Sequence, residues 1–268
     1  MGKGMKATYF SEIKKFNPYH GKDGRFTTAS GNKTGKPVTG TSSSGGSVLD
    51  ANFDDGTKTG ANVKNPAKVC GVEKGSPMSF ADADAQRSNP GWENNPQRMD
   101  NCQTCVVAYE LRRRGYDVEA KPRTHQNYDQ EKMSYDPCWA WRVPGTKDMP
   151  QIIKSDESFE SADKAIEHLN NTIEDGKRYT MNFVWGDGRG AHIIIAEKTD
   201  GKTWLFDPQS GNSITSESEV KEYVSRFAGV GGNEKSPNWS GGAIQMLPIS
   251  DMDINTVNVE TVLQKATT

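Results

Sequence analysis

Apolar and polar positions form a helical pattern over residues 101–114. Large apolar side chains there project nearly all round a helical wheel, which is typical of a buried helix. Asp100 and Asn101 are residue types that cap a helix start. Arg112 to Arg114 and then Gly115 mark the end, because cations favour a helix C-terminus and glycine favours the left-handed turn after it. The pattern therefore predicts a buried helix that ends at Arg114.

Further helical and strand patterns follow along the chain. Apolar residues spaced by three and four predict helices over 161–175 and 217–227. Alternating or continuous apolar runs predict strands over 116–120, 179–185, 191–197, 203–207 and 243–248. A helix that leads a run of mostly antiparallel strands is an α+β fold.

The first 60 residues lack the pattern of a folded core. From residue 21 to 60 only five large apolar residues occur, and the segment 39–47 contains almost only Gly, Ser and Thr. Such a composition buries too little surface to offset the ordering of the backbone. We therefore predict a low-complexity tail or linker over 1–60, disordered or ordered on a partner, a folded domain over 61–250, and a C-terminal extension over 251–268.

Charge and hydropathy narrow the classes of partner. The net charge is -2, although residues 1–60 hold 9 Lys and Arg against 5 Asp and Glu. This balance argues against nucleic acid or an anionic membrane as the main partner. No run approaches the roughly 18 apolar residues of a membrane span, and the N-terminus lacks the apolar segment of a secretory signal. We expect a cytoplasmic protein whose four cysteines are reduced thiols.

Three polar residues lie at positions suited to nucleophilic catalysis. Cys102 lies in the first turn of the buried helix, where the helix N-terminus favours a thiolate. His192 opens an apolar strand, and Asp207 ends the next strand, 15 residues later. Asp207 could hold the imidazole in one tautomer while His192 takes a proton from Cys102. The three residues together predict a Cys-His-Asp triad, although each alone is more often structural.

Other readings of the cysteines receive less weight. Cys102, Cys105, His125 and Cys138 could be assembled into a zinc site, but the spacing lacks a second close pair. Cys138 precedes Trp139, as the nucleophile of papain-type peptidases precedes Trp, but flanking prolines leave no room for a long helix. We therefore predict no metal site and no cofactor.

The segment 101–120 (NCQTCVVAYELRRRGYDVEA) resembles the opening motif of papain-fold toxin domains of phage-encoded and polymorphic-toxin proteins, which are related to bacterial glutamine deamidases. The strand opening at 190–192 and the segment 207–211 (DPQSG) match the later motifs of that family in order. The resemblance covers about 96–248. It implies a papain-like cysteine fold, with the N-terminal helix packed on an antiparallel sheet.

The resemblance also implies roles for individual residues. Related papain-fold peptidases have a Gln about six residues before the nucleophile and a Gly thirteen after it; here Gln97 precedes Cys102 by 5 and Gly115 follows it by 13. Cys102 is therefore the preferred nucleophile and Cys105 the second choice. Gln97 or the Cys102 amide would bind the oxyanion, and Gln209 would be a supporting residue.

A second resemblance lies in the tail. Residues 16–26 (FNPYHGKDGRF) are similar to a short segment that recurs in virion-associated proteins of tailed phages and prophages. It implies a phage-encoded protein that docks on virion proteins through its N-terminus, and hence a virion-associated location as an alternative to the cytoplasm.

The sequence predicts a cysteine-dependent acyl-transfer enzyme, in the first place a glutamine deamidase acting as a toxin or effector on a host protein. A cysteine peptidase or isopeptidase would use the same triad. A phage structural protein with a non-catalytic papain-like binding module is the alternative from another class.

Overall fold

The computed structural model describes residues 67–188, 190–237 and 239–267. The predicted tail over 1–60 lies outside these residues. Six helices in the described residues are Ala85–Ser88 (α1), Cys102–Arg113 (α2), Tyr128–Tyr135 (α3), Ala162–Thr172 (α4), Glu217–Val224 (α5) and Thr256–Val262 (α6). None of the helices in this part of the chain combines the length and apolar content needed to span a bilayer.

Twelve strands accompany the helices in the described residues. They are Lys68–Val69 (β1), Val72–Glu73 (β2), Val118–Ala120 (β3), Trp141–Arg142 (β4), Ile153–Lys154 (β5), Arg178–Val184 (β6), Ala191–Thr199 (β7), Lys202–Asp207 (β8), Asn212–Ile214 (β9), Ile244–Pro248 (β10), Asp253–Ile254 (β11) and Leu263–Lys265 (β12). Six of them form one antiparallel sheet in the order β5-β10-β6-β7-β8-β9. The mixed helix and antiparallel sheet architecture confirms the α+β class.

The large sheet separates two apolar cores. Ile193 and Ile195 of β7 face the core that contains α2, whereas Ile194 and Ala196 face the core built with α4 and α5. This alternation follows from the two-residue repeat of a strand. Because the two cores cover both faces of the sheet, β7 contains a continuous run of apolar residues. The α2 helix is thereby fixed against one face of the central strands.

The predicted buried helix is confirmed, and its ends explain its length. Asn101 is the N-cap residue, although its side chain makes no capping hydrogen bond. After the C-cap Arg114, Gly115 has a φ of 105°. The Gly115 amide donates to the Arg112 carbonyl, and the Tyr116 amide donates to the Leu111 carbonyl, which is a Schellman ending. This turn shortens the predicted strand 116–120 to Val118–Ala120.

Two other predicted helices form but end early. The helix predicted over 161–175 ends at Thr172, where Ile173 becomes extended. The helix predicted over 217–227 ends at Val224, because the chain turns back so that the Ala228 amide donates to the Val184 carbonyl of the sheet. The four predicted strands of the large sheet form within two residues of the predicted bounds.

The C-terminal residues differ from the expected extension. Val259 and Val262 of α6 and Leu263 of β12 are buried in the α2 core. Leu263 also pairs with Ala120 of β3. Residues 253–265 therefore complete the folded body. The sequence did not indicate three helices and seven strands as elements, because these segments are short or mostly polar: α1, α3, α6, β1, β2, β4, β5, β9, β11 and β12.

Candidate functional site

Cys102 begins α2 at the edge of the α2 core and is 7% exposed. The first helical hydrogen bonds come from the Thr104 and Cys105 amides, which both donate to the Asn101 carbonyl, at 3.0 and 3.1 Å. The Cys102 and Gln103 amides thus belong to the helix start, where amides have no carbonyl one turn before them within the helix. A thiolate at this position is stabilised by the positive end of the helix dipole.

His192 and Asp207 come together at the same edge of the sheet. His192 is the second residue of β7 and Asp207 is the last residue of the neighbouring strand β8. His192 Nε2 lies 3.0 Å from Asp207 Oδ2. The expected hairpin therefore brings both side chains within hydrogen-bonding distance, and it assigns Nε2 to Asp207.

The Asp207 carboxylate is held by two further donors. The Gln209 amide donates to Oδ1 at 2.9 Å, and Ser210 Oγ donates to Oδ2 at 2.8 Å. Both donors lie in the turn that follows β8. Because Asp207 is buried, these hydrogen bonds fix the orientation of its carboxylate toward His192.

His192 also interacts with the Cys102 side chain, which hydrogen-bonds to it. Burial lowers the pKa of His192, but the Asp207 carboxylate and the Cys102 thiol together raise it by more, to about 10. With Nε2 directed to Asp207, Nδ1 is the ring nitrogen left for Cys102. The arrangement favours an imidazolium between two negative groups.

Aromatic side chains pack around the imidazole. The His192 ring lies edge-on to Phe183, with centroids 5.9 Å apart, and stacks on Trp185 at 6.2 Å. Tyr223 packs against both aromatic rings. Burial, together with the negative charges of Asp207 and Cys102, raises the pKa of Tyr223 well above its usual value. This cluster restricts the rotation of the imidazole.

A cavity of about 290 Å³ opens beside Cys102 and His192. Part of its lining comes from the end of α3 and the residues that follow it, and Trp239 and Ser240 also line it. Gln103 is on the wall next to Cys102; its Oε1 lies 3.4 Å from Cys102 Sγ and its Nε2 donates to Ser134 Oγ at 2.8 Å. Sequence reasoning missed this cavity, because its walls come from segments without a recognisable motif.

The other predicted site residues lie elsewhere. Gln97 is exposed in a short 3-10 helix, Pro96–Arg98, and is not among the residues that line the cavity. Gln209 is buried behind Asp207, where its Nε2 lies 3.4 Å from Asn101 Oδ1. The structure therefore offers no contact between Gln97 and the Cys102 cavity, and it places Gln209 as a support for Asp207.

Cys105, the second-choice nucleophile, is fully buried one turn after Cys102. Its Sγ lies 3.2 Å from Asn101 Oδ1, and burial raises its pKa well above the usual value of a thiol. It does not line the cavity. Asn101 also joins a buried amide network, since its Nδ2 donates to Asn89 Oδ1 at 3.0 Å. The polar environment of Cys105 is therefore structural.

The zinc alternative gains no support from the geometry. The side chain of His125 is 80% exposed. In the described part of the chain, no three or more His, Cys, Asp or Glu side chains are grouped as metal ligands. Burial raises the pKa of Cys138 to about 12, and Cys70 to about 11. Neither thiol shares the environment of Cys102.

The region around the site is similar to a known family of proteins. Residues 100–212 match the family described as papain fold toxin 1, glutamine deamidase. A comparison with curated proteins finds no match. The matched region begins just before Cys102 and ends just after Asp207. The match supports a papain-fold toxin domain of the glutamine deamidase type, which is a family of cysteine-dependent enzymes. The matched region does not include residues 16–26.

Proposed function

We propose that this protein is a glutamine deamidase that hydrolyses the side-chain carboxamide of a protein substrate, with Cys102 as nucleophile, His192 as general acid and base, and Asp207 as the residue that orients His192. The observation that carries the proposal is the Cys102–His192–Asp207 arrangement at a cavity within the region that matches the deamidase family. As a toxin-type enzyme it would act on a host protein.

The chemistry follows from the geometry of the three side chains. The Cys102 thiolate attacks the carboxamide carbon, so that a C–S bond forms and the carbonyl electron pair moves to oxygen. The His192 imidazolium gives its proton to the leaving nitrogen, ammonia departs, and a thioester remains. A water molecule then loses a proton to His192 and attacks the thioester, which releases glutamate and regenerates the thiolate. Asp207 stabilises the imidazolium throughout.

The size of the cavity suits one side chain. At about 290 Å³ it lies just below the range of ligand pockets, roughly 300 to 1,000 Å³. It therefore has room for a glutamine side chain with its terminal carboxamide. Peptidase or isopeptidase chemistry would use the same three residues and is the alternative outcome of the test.

Intact-mass analysis of candidate host proteins tests the proposal. Incubation with the protein should add about one dalton per modified glutamine, as ammonia is exchanged for water, whereas a peptidase would release fragments. The Cys102→Ala variant is the control. The proposal fails if host proteins gain no mass with the active protein, or if the same change occurs with Cys102→Ala.

The role of the N-terminal segment is a separate part of the proposal. Residues 16–26, which resemble a segment of virion-associated phage proteins, lie outside the described residues. We propose that this segment docks the enzyme on virion proteins. Deletion of residues 1–60 should then abolish co-purification with virions while deamidation in solution persists.

A further inference from the structure

The floor of the cavity is one row of directly paired residues that crosses four strands. Ile193 of β7 pairs with Asn182 of β6, Asn182 pairs with Gln245 of β10, and Gln245 pairs with Lys154 of β5. All four residues line the cavity. Directly paired residues project from the same face of a sheet. That face is the one covered by α2, since Ile193 and Cys102 belong to the same core.

Asn182 is the polar residue of this row next to β7, the strand of His192. It is 8% exposed, and its Oδ1 is buried with no hydrogen-bond partner among the described residues. The side-chain amide of Gln103, in contrast, has a hydrogen-bond partner at each end. Its Oε1 accepts from Cys102 Sγ, and its Nε2 donates to Ser134 Oγ. A buried polar atom without a partner is destabilising, so an unpartnered Oδ1 at this position calls for a functional reason.

Asn182 differs from the other unpartnered polar residue of β6 because it lines the cavity. Thr180, two residues earlier on the same face of β6, also has a buried Oγ1 with no partner in the described part of the chain, but it does not line the cavity. On β6, Asn182 alone combines a buried polar atom that has no partner among the described residues with a place in the cavity lining. Because its Oδ1 is enclosed by protein, Nδ2 is the end of the amide that is left for a ligand in the cavity.

We propose that Asn182 is a further catalytic residue, whose Nδ2 donates a hydrogen bond to the carbonyl oxygen of the carboxamide that Cys102 attacks. This inference rests on the proposed function. When the C–S bond forms, the carbonyl electron pair moves to oxygen, and Nδ2 stabilises that charge together with the Cys102 backbone amide. Asn182 would thus take the role expected of Gln97, which does not reach the cavity.

A pair of substrates separates this role from others. Nα-acetylglutamine methylamide and its matched γ-methyl ester share the carbonyl oxygen, but only the first has an N–H group at the leaving position. In Asn182→Leu and Asn182→Asp, kcat should fall by about 10² to 10³ for both substrates, with KM changed much less. Asn182→Asp is nearly isosteric and retains acceptors but not the donor. Thr180→Val is the matched control and should leave kcat unchanged.

A second measurement does not depend on turnover. Carbon-labelled butanal, which mimics the glutamine side chain, adds to the Cys102 thiol; the C–S bond forms, the carbonyl becomes a hydroxyl, and no group leaves. NMR titration of the full chain should give a dissociation constant at least about tenfold higher in both Asn182 variants than in the wild type. Thermal unfolding of each variant identifies any loss of folding, and Asn182→Asp serves if Asn182→Leu unfolds.

The outcomes are distinct. A loss confined to the amide substrate and spared in Asn182→Asp would make Asn182 an acceptor for the leaving nitrogen and overturn the donor role. Unchanged kcat and unchanged butanal affinity would overturn it as well. If the wild type hydrolyses neither substrate nor any host protein, the proposed function fails, while the butanal titration still decides whether Asn182 binds the oxygen.

Discussion

The two ends of α2 both bury ionisable side chains against the central sheet, but they satisfy them in different ways. At the C-terminal end, Glu110 accepts hydrogen bonds from Arg114 Nε at 2.8 Å and from Arg178 Nε at 2.6 Å, and Arg114 also donates to the Met252 carbonyl at 2.9 Å. At the N-terminal end, Cys102 and His192 line a cavity.

Both ends carry shifted pKa values, so a shift alone does not identify a functional site. Burial would raise the pKa of Glu110, but Arg178 and Arg114 lower it to about 2. His192 is shifted to about 10 by Asp207 and Cys102 against the effect of burial. The difference is that Glu110 and Arg114 are hydrogen-bonded to other groups of the protein, whereas His192 lines a cavity. The cavity beside Cys102 and His192 therefore distinguishes the N-terminal end of α2, which is a candidate reaction site, from the C-terminal end, which is structural.

The largest expected effect is on the nucleophile. Cys102→Ala should abolish deamidation, because no other thiol lines the cavity in the part of the chain that the structure describes. Cys105→Ala, one turn away and outside the cavity, should retain activity although it removes a buried side chain. Mass analysis of a deamidated host protein, with circular dichroism to monitor folding, measures both. Retained activity in Cys102→Ala or loss in a folded Cys105→Ala would reverse the assignment of the two cysteines.

The second effect concerns the residue that orients His192. Asp207→Asn should lower kcat by about 10⁴, because the neutral amide cannot stabilise the imidazolium and favours the wrong tautomer. It should also lower the pKa of His192 from about 10, since the Asp207 carboxylate raises that pKa. NMR titration of the histidine ring protons measures the pKa. Full activity, or an unchanged His192 pKa in the variant, would contradict the role.

The candidate site also shows how much the sequence could reveal. The places of Cys102, His192 and Asp207 in the secondary structure were predictable, because a helix start, a strand start and a strand end are local features with local signals. The helix ending at Gly115 was predictable for the same reason. Ser210, Asn182 and the wall formed by α3 were not, because their importance arises from register and packing between segments far apart in sequence. The resemblance to peptidases misplaced Gln97 for a related reason, since a similar spacing does not fix where a side chain points.

The third effect tests the structural end of α2. Glu110→Gln should lower the free energy of unfolding by about 3–5 kcal/mol, because it leaves Arg114 and Arg178 buried without their carboxylate. Glu167→Gln, which breaks only the exposed pair with Lys164, should leave stability unchanged within error. Urea unfolding measures both. Equal effects would mean that the buried cluster contributes no more than a surface pair.

The same carboxylate predicts a pH dependence of stability. The pKa of Glu110 is about 2 in the folded protein and 4.5 for an ordinary glutamate. Its contribution is therefore fully present above pH 4.5 and is lost as the pH falls toward 2, because the unfolded state binds the proton first. Urea unfolding between pH 2 and 6 should show this slope reduced in Glu110→Gln. An identical slope in both proteins would assign the acid sensitivity to other groups.

The smallest expected effect concerns Ser210, beside the His192–Asp207 pair. Ser210 Oγ shares Asp207 Oδ2 with His192, so its removal leaves the carboxylate less firmly oriented. A single hydrogen bond to a charged group corresponds to about a tenfold loss, which we expect in kcat for Ser210→Ala with KM unchanged. Ser213→Ala, in the neighbouring strand β9, is the matched control, because Ser213 pairs with Phe206 and not with Asp207. If Ser210→Ala lowered the unfolding temperature but left kcat at the wild-type value, Ser210 would serve folding alone, and the orientation of Asp207 would depend on the Gln209 amide.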